Sequence, residues 1–307
     1  MSYKIIVDSC CELPGEYLQD PRFQRIPLTL EVGDSYRVTD DDTFDQKSFL
    51  QAVASSPACP RSACPSPALY AEACDCDADH IYIITLSSHL SGSYNSAVLG
   101  RELYLEEHEP KDILVIDSES ASCGETQIAM KLMELEQMGL SFSEIERKIL
   151  LYRSNILTYF VLDSLEALRK NGRLSTVKAL VANTLSIKPI MAGCKGIIVQ
   201  KAQCIGMKKA LSRMADEIVA ALPKASGYVL MITHCNAPER AEQVRRMIQE
   251  KMEFVRVSVM DTRGVSSLYA SDGGVIVTIA ANLLDTVSQA ADSLRNPTPA
   301  KIPVRTS

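Results

Sequence analysis

The chain has 307 residues, which is more than one domain core usually holds and suits two α/β domains. Its formal net charge is −6 and it contains no tryptophan, so we expect neither a general basic surface nor an aromatic stacking platform. This composition argues against nucleic acid as a partner.

The composition also bears on location and metal content. No run approaches the ~20 apolar residues that a membrane span needs, and the start MSYKIIVDSCC leads directly into a strand pattern. We therefore expect a cytoplasmic protein with no stable membrane insertion and with reduced cysteines. The spacing of Cys59, Cys64, Cys74 and Cys76 matches no common zinc pattern, so neither a metal nor another cofactor is predicted.

Strand and helix patterns alternate in the first half, which indicates a parallel sheet covered by helices. The patterns predict strands at 4–9, 26–32, 80–88 and 112–120. They predict helices at 43–55, 93–107, 126–139 and 141–155, the last capped by Ser141 or Ser143. The stretch 55–67 is rich in proline and serine, and we predict a loop there.

The pattern of apolar and polar residues changes after residue 155, where we place a domain boundary. Strands are predicted at 197–204, 227–233, 254–260 and 273–281, and helices at 176–185, 207–222 and 237–252. This order predicts a mixed sheet covered on both faces. We thus divide the chain into an α/β domain with a mostly parallel sheet (1–155), a second α/β domain (156–285) and a helix end with a disordered tail (286–307).

The stretch ITLSSHLSGSYNSA (84–97) is the strongest candidate for a binding site. A strand ends, a turn follows that contains Ser91, Gly92 and Ser93, and a helix begins. Unpaired N–H groups at a helix N-terminus, together with serine hydroxyls, suit a carboxylate or a phosphate. The alternative is that Ser91 or Ser93 only caps its own helix, and on position alone we favour that alternative.

Two further stretches contain candidate ligands for an anion. RSACPSP (61–67) contains Ser62 in a segment bounded by prolines, and a solvent-facing loop is the alternative. LEALRKNGRLS (165–175) ends a helix at Asn171-Gly172 and places Arg173 where its guanidinium can reach an anion. A surface charge or a structural ion pair is the alternative for Arg173.

The common sequence signatures of catalysis are missing. The sequence contains no G-x-S-x-G, G-x-x-x-x-G-K-[ST], G-x-G-x-x-G or H-E-x-x-H motif. None of the histidines stands in a pattern that would make it the base of a serine nucleophile. His234 ends a strand and can reach a cleft, although a neutral histidine bonded to nearby backbone is the interpretation we favour. The sequence therefore gives little support to nucleophilic hydrolysis.

The order of the motifs resembles that of the DegV family. The motifs are DSCCELP (8–14), RSACPS (61–66), LSSHLSGSYNSA (86–97), VIDSESASCGE (115–125) and YFVLDSLEALRKNGRLS (159–175). IKPIM (187–191), KGIIVQKAQCIGMKKA (195–210) and the strand that ends at His234 continue the resemblance, which spans residues 3–280.

This resemblance implies a bacterial, non-catalytic carrier that holds one long-chain fatty acid. The acyl chain would lie in a buried apolar tunnel, and its carboxylate would be presented to the ATP-binding subunit of a fatty acid kinase. The family's head-group positions correspond to Ser62, Ser91 and Arg173, and Gly92 and Ser93 adjoin them.

The chain also departs from the family pattern. Ser62 replaces a threonine and keeps the hydroxyl, whereas Gln203 replaces a cation. Tyr269 replaces a histidine and can donate a hydrogen bond to the carboxylate. A rival interpretation is an enzyme related to dihydroxyacetone kinase that acts on a small carbonyl or phosphorylated substrate. In that case His89 is the candidate to hold the substrate.

Overall fold

The computed structural model describes residues 2–175, 186–222 and 227–282. The predicted helix at 176–185 and the predicted helix end and tail at 286–307 lie outside these described residues.

The first half alternates short strands with helices of varied length. In chain order its elements are β1 (Tyr3–Asp8), α1 (Gly15–Leu18), β2 (Phe23–Ile26), β3 (Thr29–Val32), β4 (Tyr36–Thr39), α2 (Gln46–Ser55), β5 (Arg61–Ala63), α3 (Pro67–Cys74), β6 (His80–Thr85), α4 (Ser93–Glu107), β7 (Asp112–Asp117), α5 (Cys123–Gln137) and α6 (Phe142–Ser154).

The second half has longer strands. In chain order its elements are β8 (Leu157–Val161), α7 (Glu166–Lys170), β9 (Ile187–Cys194), β10 (Ile197–Ile205), α8 (Met207–Ala221), β11 (Tyr228–His234), α9 (Pro238–Gln249), β12 (Phe254–Asp261), α10 (Gly264–Ala270) and β13 (Val275–Ala281).

The first sheet has the order β2-β1-β6-β7, and all of its strands are parallel. β6 is buried along its whole length, as its continuous apolar sequence requires in a sheet covered on both faces. Because the strands are parallel, the loops after Asp8, Thr85 and Asp117 open on one rim. This is the rim where α/β folds bind ligands.

The second sheet is mixed, with the order β10-β9-β8-β13-β11-β12. β11 and β12 are parallel, and the other pairs are antiparallel. Helices α8 and α9 pack on one face and α5 packs on the other. The predicted fold class, two α/β domains with a mostly parallel and a mixed sheet, is confirmed. The division near residue 155 stays a prediction.

A small antiparallel sheet, β4-β3-β5, joins the two halves. Leu30 of β3 and Leu28, just before β3, pack against Val265 and Leu268 of α10. The structure corrects the predictions here, because 26–32 is divided between β2 and β3, and the predicted loop 55–67 contains β5. β5 has only three residues and depends on its pairing with β3, a contact that local sequence does not reveal.

Candidate functional site

A cavity of about 90 Å³ lies between the two larger sheets. Most of its wall is apolar, and the side chains come from both halves of the chain. Among them are Leu86, Leu90, Phe160, Leu162, Ile198 and Ile276.

Two of the predicted head-group residues, Arg173 and Tyr269, lie in the wall of this cavity. The hydroxyl groups of Tyr269 and Ser62 are 3.0 Å apart. The guanidinium carbon of Arg173 lies 5.4 Å from the centre of the Tyr269 ring, a cation–π distance. Three of the predicted head-group residues therefore meet at one point, although β5, α10 and the end of α7 are far apart in sequence.

The end of α7 determines the position of Arg173. The helix stops at Asn171, and Gly172 has a φ of +77°, the left-handed conformation predicted for this stop. The chain then turns back, so that Arg173 Nε donates a hydrogen bond to the carbonyl oxygen of Leu90 at 3.0 Å. This bond links Arg173 to the serine turn before α4.

Ser91 belongs to that turn and is half-buried. Its hydroxyl accepts a hydrogen bond from the backbone N–H of Ser93 at 3.2 Å, two residues on in the turn. The N-cap of α4 is Gly92 and this cap has no side-chain hydrogen bond, so the capping alternative is not confirmed. The Ser93 hydroxyl lies 3.1 Å from the Ser91 hydroxyl and is fully buried. A Cβ atom at Gly92 would lie 3.1 Å from the sulfur of Cys64, so glycine lets the segment that contains Ser62 approach.

The predicted residues therefore have different relations to the cavity. Arg173 and Tyr269 line it, and Ser62 contacts Tyr269. Ser91 adjoins Leu90, which lines the cavity. Gly92 packs against Cys64, and the Ser93 hydroxyl contacts that of Ser91.

The four histidines all lie in described parts of the chain, and none of them lines this cavity. His89 is exposed on the serine turn. His234 is buried and its Nδ1 accepts the backbone N–H of Ala237 at 3.3 Å. Burial lowers the pKa of His234, which agrees with the neutral histidine that we favoured. The rival interpretation as an enzyme thus has no histidine in the cavity.

Sequence reasoning missed a set of buried acids near the rim. Asp8 and Glu125 are fully buried, and Glu12 is almost so. Burial raises the pKa of Asp8 to about 6 and that of Glu12 to about 8, although backbone N–H groups partly oppose both shifts. The position of Asp8 at the end of a buried strand was the one available signal. Glu125 gave none, because an acid in the first turn of a helix is usually exposed.

No three potential metal ligands gather in the part of the chain that the structure describes. Within the same residues, no helix is both long and apolar enough to cross a membrane.

Known proteins match this chain over nearly its whole length. A family model described as an uncharacterised protein of the DegV family matches residues 2–282. A DegV domain-containing protein from Streptococcus gordonii is 34% identical over 284 residues, which cover 90% of this chain and 98% of that protein.

Two solved structures have the same fold. The crystal structure of a DegV family protein from Ruminococcus gnavus with vaccenic acid has 47% sequence identity and a TM-score of 0.87, and the match covers 91% of this chain and 99% of that one. The Fatty Acid Kinase (Fak) B3 protein of Streptococcus pneumoniae, loaded with linoleic acid, has 31% identity and a TM-score of 0.80, with coverage of 92% and 100%. With a family match over nearly its whole length and relatives at these identities, the chain belongs to the DegV family.

Proposed function

We propose that the chain binds one long-chain fatty acid in the cavity between its two larger sheets. The observation that carries this proposal is a mostly apolar cavity whose wall also contains the neighbouring side chains of Arg173 and Tyr269. The Ruminococcus gnavus and Streptococcus pneumoniae relatives hold vaccenic and linoleic acid, which supports an acyl ligand.

Burial of the ligand's acyl chain supplies most of the binding free energy in this proposal. Each buried CH₂ contributes ~0.8 kcal/mol, so an acyl chain of about 16 carbons supplies roughly 10 kcal/mol before the costs of ordering. The protein then needs only to compensate the charge of the carboxylate, because an unpaired buried charge is costly. Hydroxyl donors and one guanidinium can do so.

The proposed carboxylate site consists of Ser62, Ser91, Arg173 and Tyr269. The Tyr269 and Ser62 hydroxyls are neighbours, and Arg173 connects Tyr269 with the turn of Ser91 through its bond to Leu90. Gly92 lets the two loops approach each other, and the Ser93 hydroxyl lies within hydrogen-bond distance of the Ser91 hydroxyl.

We further propose that the chain is a non-catalytic, cytoplasmic carrier without a metal or other cofactor. It would present the carboxylate to the ATP-binding subunit of a bacterial fatty acid kinase, which would perform the phosphoryl transfer. The likeness to the Fak B3 protein supports this role. Gln203 on β10 is exposed and replaces a cation of the family pattern, so this position offers a kinase partner no positive charge.

Lipid extraction tests the binding proposal. Mass spectrometry of an organic extract from the purified protein should find a C14–C18 acid in a near-stoichiometric amount. Its absence, together with failure of the protein to take up added oleic acid, would remove the proposed function.

The Ser62→Ala, Ser91→Ala double variant tests the head-group assignment. We expect it to fold and to lose most of the bound acid, because it lacks two hydroxyl donors to the carboxylate. Ser66→Ala is the matched control, since Ser66 is exposed in the same segment and makes no capping hydrogen bond. Equal retention of acid by the double variant and the control would refute the assignment.

A further inference from the structure

Two neighbouring hydroxyl groups interrupt the apolar wall of the cavity. Ser120 lies in the loop after β7 and Thr158 lies on β8, and both residues line the cavity. Ser120 is 6% exposed and Thr158 is 8% exposed. Their hydroxyl oxygens are 2.8 Å apart, so the two groups form a buried hydrogen-bonded pair. This pair has no part in the carboxylate site proposed above.

The direction of β8 places the pair away from the carboxylate site. Thr158, Phe160 and Leu162 all line the cavity, because side chains two residues apart on a strand share a face. At ~3.3 Å per residue, Thr158 lies about 13 Å from Leu162 along this line. Leu162 packs in one apolar cluster with Leu168 of α7 and Tyr269 of α10. An acyl chain whose carboxylate lies near Tyr269 can therefore reach the pair with a carbon far from the carboxylate.

A second cavity, with a polar wall, lies on the other side of the pair. Ser120 and Thr158 line both cavities, together with Glu119 and Gly193. The rest of the second wall is mostly polar or charged and consists of Ser118, Arg153, Ser154, Ile156 and Lys195. The hydroxyl pair therefore lies at a boundary between an apolar space and a polar space.

The pair can form more hydrogen bonds than the protein supplies. Among the described residues, neither the Ser120 hydroxyl nor the Thr158 hydroxyl has a hydrogen-bond partner other than the other one. Two hydroxyls carry two protons and four acceptor sites, and the bond between them uses one of each. One proton and three acceptor sites therefore remain for a third group, whichever of the two residues is the donor.

A hydroxyl group on the acyl chain matches this capacity. Its oxygen can accept the remaining proton, and its own proton can be donated to a remaining acceptor site of Ser120 or Thr158. A hydroxyl group opposite the apolar part of the wall would lose its bonds to water without replacement, which is costly. A second carboxylate fits less well, because the pair offers one proton and no positive charge.

We propose that Ser120 and Thr158 bind a hydroxyl group on the acyl chain, so that the ligands of this protein include long-chain hydroxy acids. This inference rests on the proposed function and adds a ligand class to it. At the carbon that reaches the pair, a ligand hydroxyl exchanges its bonds to water for bonds to Ser120 and Thr158 at small cost. At other carbons the hydroxyl is unpaired, so the protein selects where the chain is hydroxylated.

The experiment compares octadecanoic acid with octadecanoic acids hydroxylated at carbon 8, 10, 12, 14, 16 or 18. Each competes with a fluorescent C18 polyene acid for delipidated protein. The Ser120→Ala, Thr158→Val double variant lacks both hydroxyls and changes the shape of the wall little. Thr278→Val is the matched control, because Thr278 lies opposite Thr158 on the neighbouring strand and does not line the cavity.

We expect the parent to favour one region of the chain. A hydroxyl group there should leave the affinity within about threefold of that for octadecanoic acid, since its hydrogen bonds are replaced. At the other carbons the affinity should be about tenfold lower or less, because the hydroxyl is buried without a partner. The double variant should bind the favoured acid about tenfold more weakly and octadecanoic acid as tightly as the parent does. Thr278→Val should keep the preference of the parent.

The outcomes separate this inference from the proposed function. If the parent binds neither octadecanoic acid nor any hydroxylated acid, the proposed function fails. If the parent binds octadecanoic acid but favours no hydroxylated acid over the others, or if the double variant keeps the preference, the hydroxyl site is wrong and the carrier function stands. Should the double variant not fold, a crystal structure of the parent with the favoured acid decides. A ligand hydroxyl beyond hydrogen-bond distance of both Ser120 and Thr158 would overturn the inference.

Discussion

Glu12 shows how a single buried carboxyl couples the stability of this fold to pH. Its side chain is 2% exposed. One oxygen accepts the backbone N–H of Arg263 at 2.9 Å, and the other has no partner among the described residues. Burial and, less strongly, the charge of Asp40 raise the pKa of Glu12 to about 8, although the hydrogen bond from the Arg263 N–H opposes this rise.

The raised pKa of Glu12 predicts a loss of stability with rising pH. The folded state holds the proton up to pH of about 8, whereas the unfolded state releases it near 4.5. The stability from this group is thus fully present below about pH 4.5 and is lost as the pH rises through about 8. Between pH 6 and 8 the loss is about 2 kcal/mol.

Urea unfolding at pH 6 and pH 8 measures this loss. In Glu12→Gln the free energy of unfolding should fall less over this interval than in the parent, because the amide does not titrate and still accepts the Arg263 N–H. Glu109→Gln changes an exposed acid and is the control. A Glu12→Gln variant whose pH dependence equals that of the parent would contradict the prediction.

At the scale of elements, the close packing of α3 on α4 determines where the two proposed serine ligands lie. α3 follows the segment of Ser62, and α4 follows the turn of Ser91. Gly100 makes this packing possible, because a Cβ atom there would lie 2.6 Å from both the carbonyl oxygen of Pro67 and the Cβ of Tyr70. Both contacts are shorter than folded proteins tolerate.

Gly100→Ala should therefore destabilise the protein by about 1–3 kcal/mol, even though alanine is the better helix former by about 1 kcal/mol. The variant should also bind fatty acid more weakly, because the two loops separate. Gly15→Ala is the control, since no atom lies within 4 Å of its added Cβ. Equal melting temperatures for the two variants would show that α3 and α4 can move apart without cost.

The elements differ in how far local sequence predicts them. The helix predicted at 93–107 is confirmed, and the strand predicted at 80–88 is found as β6, which ends at Thr85, since apolar runs and helical spacing are local signals. β9 and α10 were not predicted, because Pro189 weakens the strand pattern and α10 has only seven residues. For the site, the serine turn and Arg173 gave local signals. The buried pair of Asp8 and Glu125 depends on tertiary contacts and could not be predicted.

At the scale of the whole molecule, α5 connects the two larger sheets. It lies between them, and nearly all of its residues are buried. Leu132 packs in the cluster of the first sheet with Ile5 and Tyr82. Met130 packs with Met231 of the second sheet. A helix shared in this way should make the two sheets unfold together.

Amide hydrogen exchange of β6 and β11 under native conditions tests this coupling. Leu132→Ala and Met130→Ala each remove buried side-chain volume, at a cost of about 2–5 kcal/mol. Although each variant touches only one sheet, we expect either one to reduce the protection of both strands by the same free energy. Gln137→Ala, at the exposed end of α5, should change neither strand. If Leu132→Ala reduced the protection of β6 alone, the two sheets would unfold as independent units. A fatty acid could then enter by separation of the sheets, and local movement around Ser62, Tyr269 and Arg173 would not be needed.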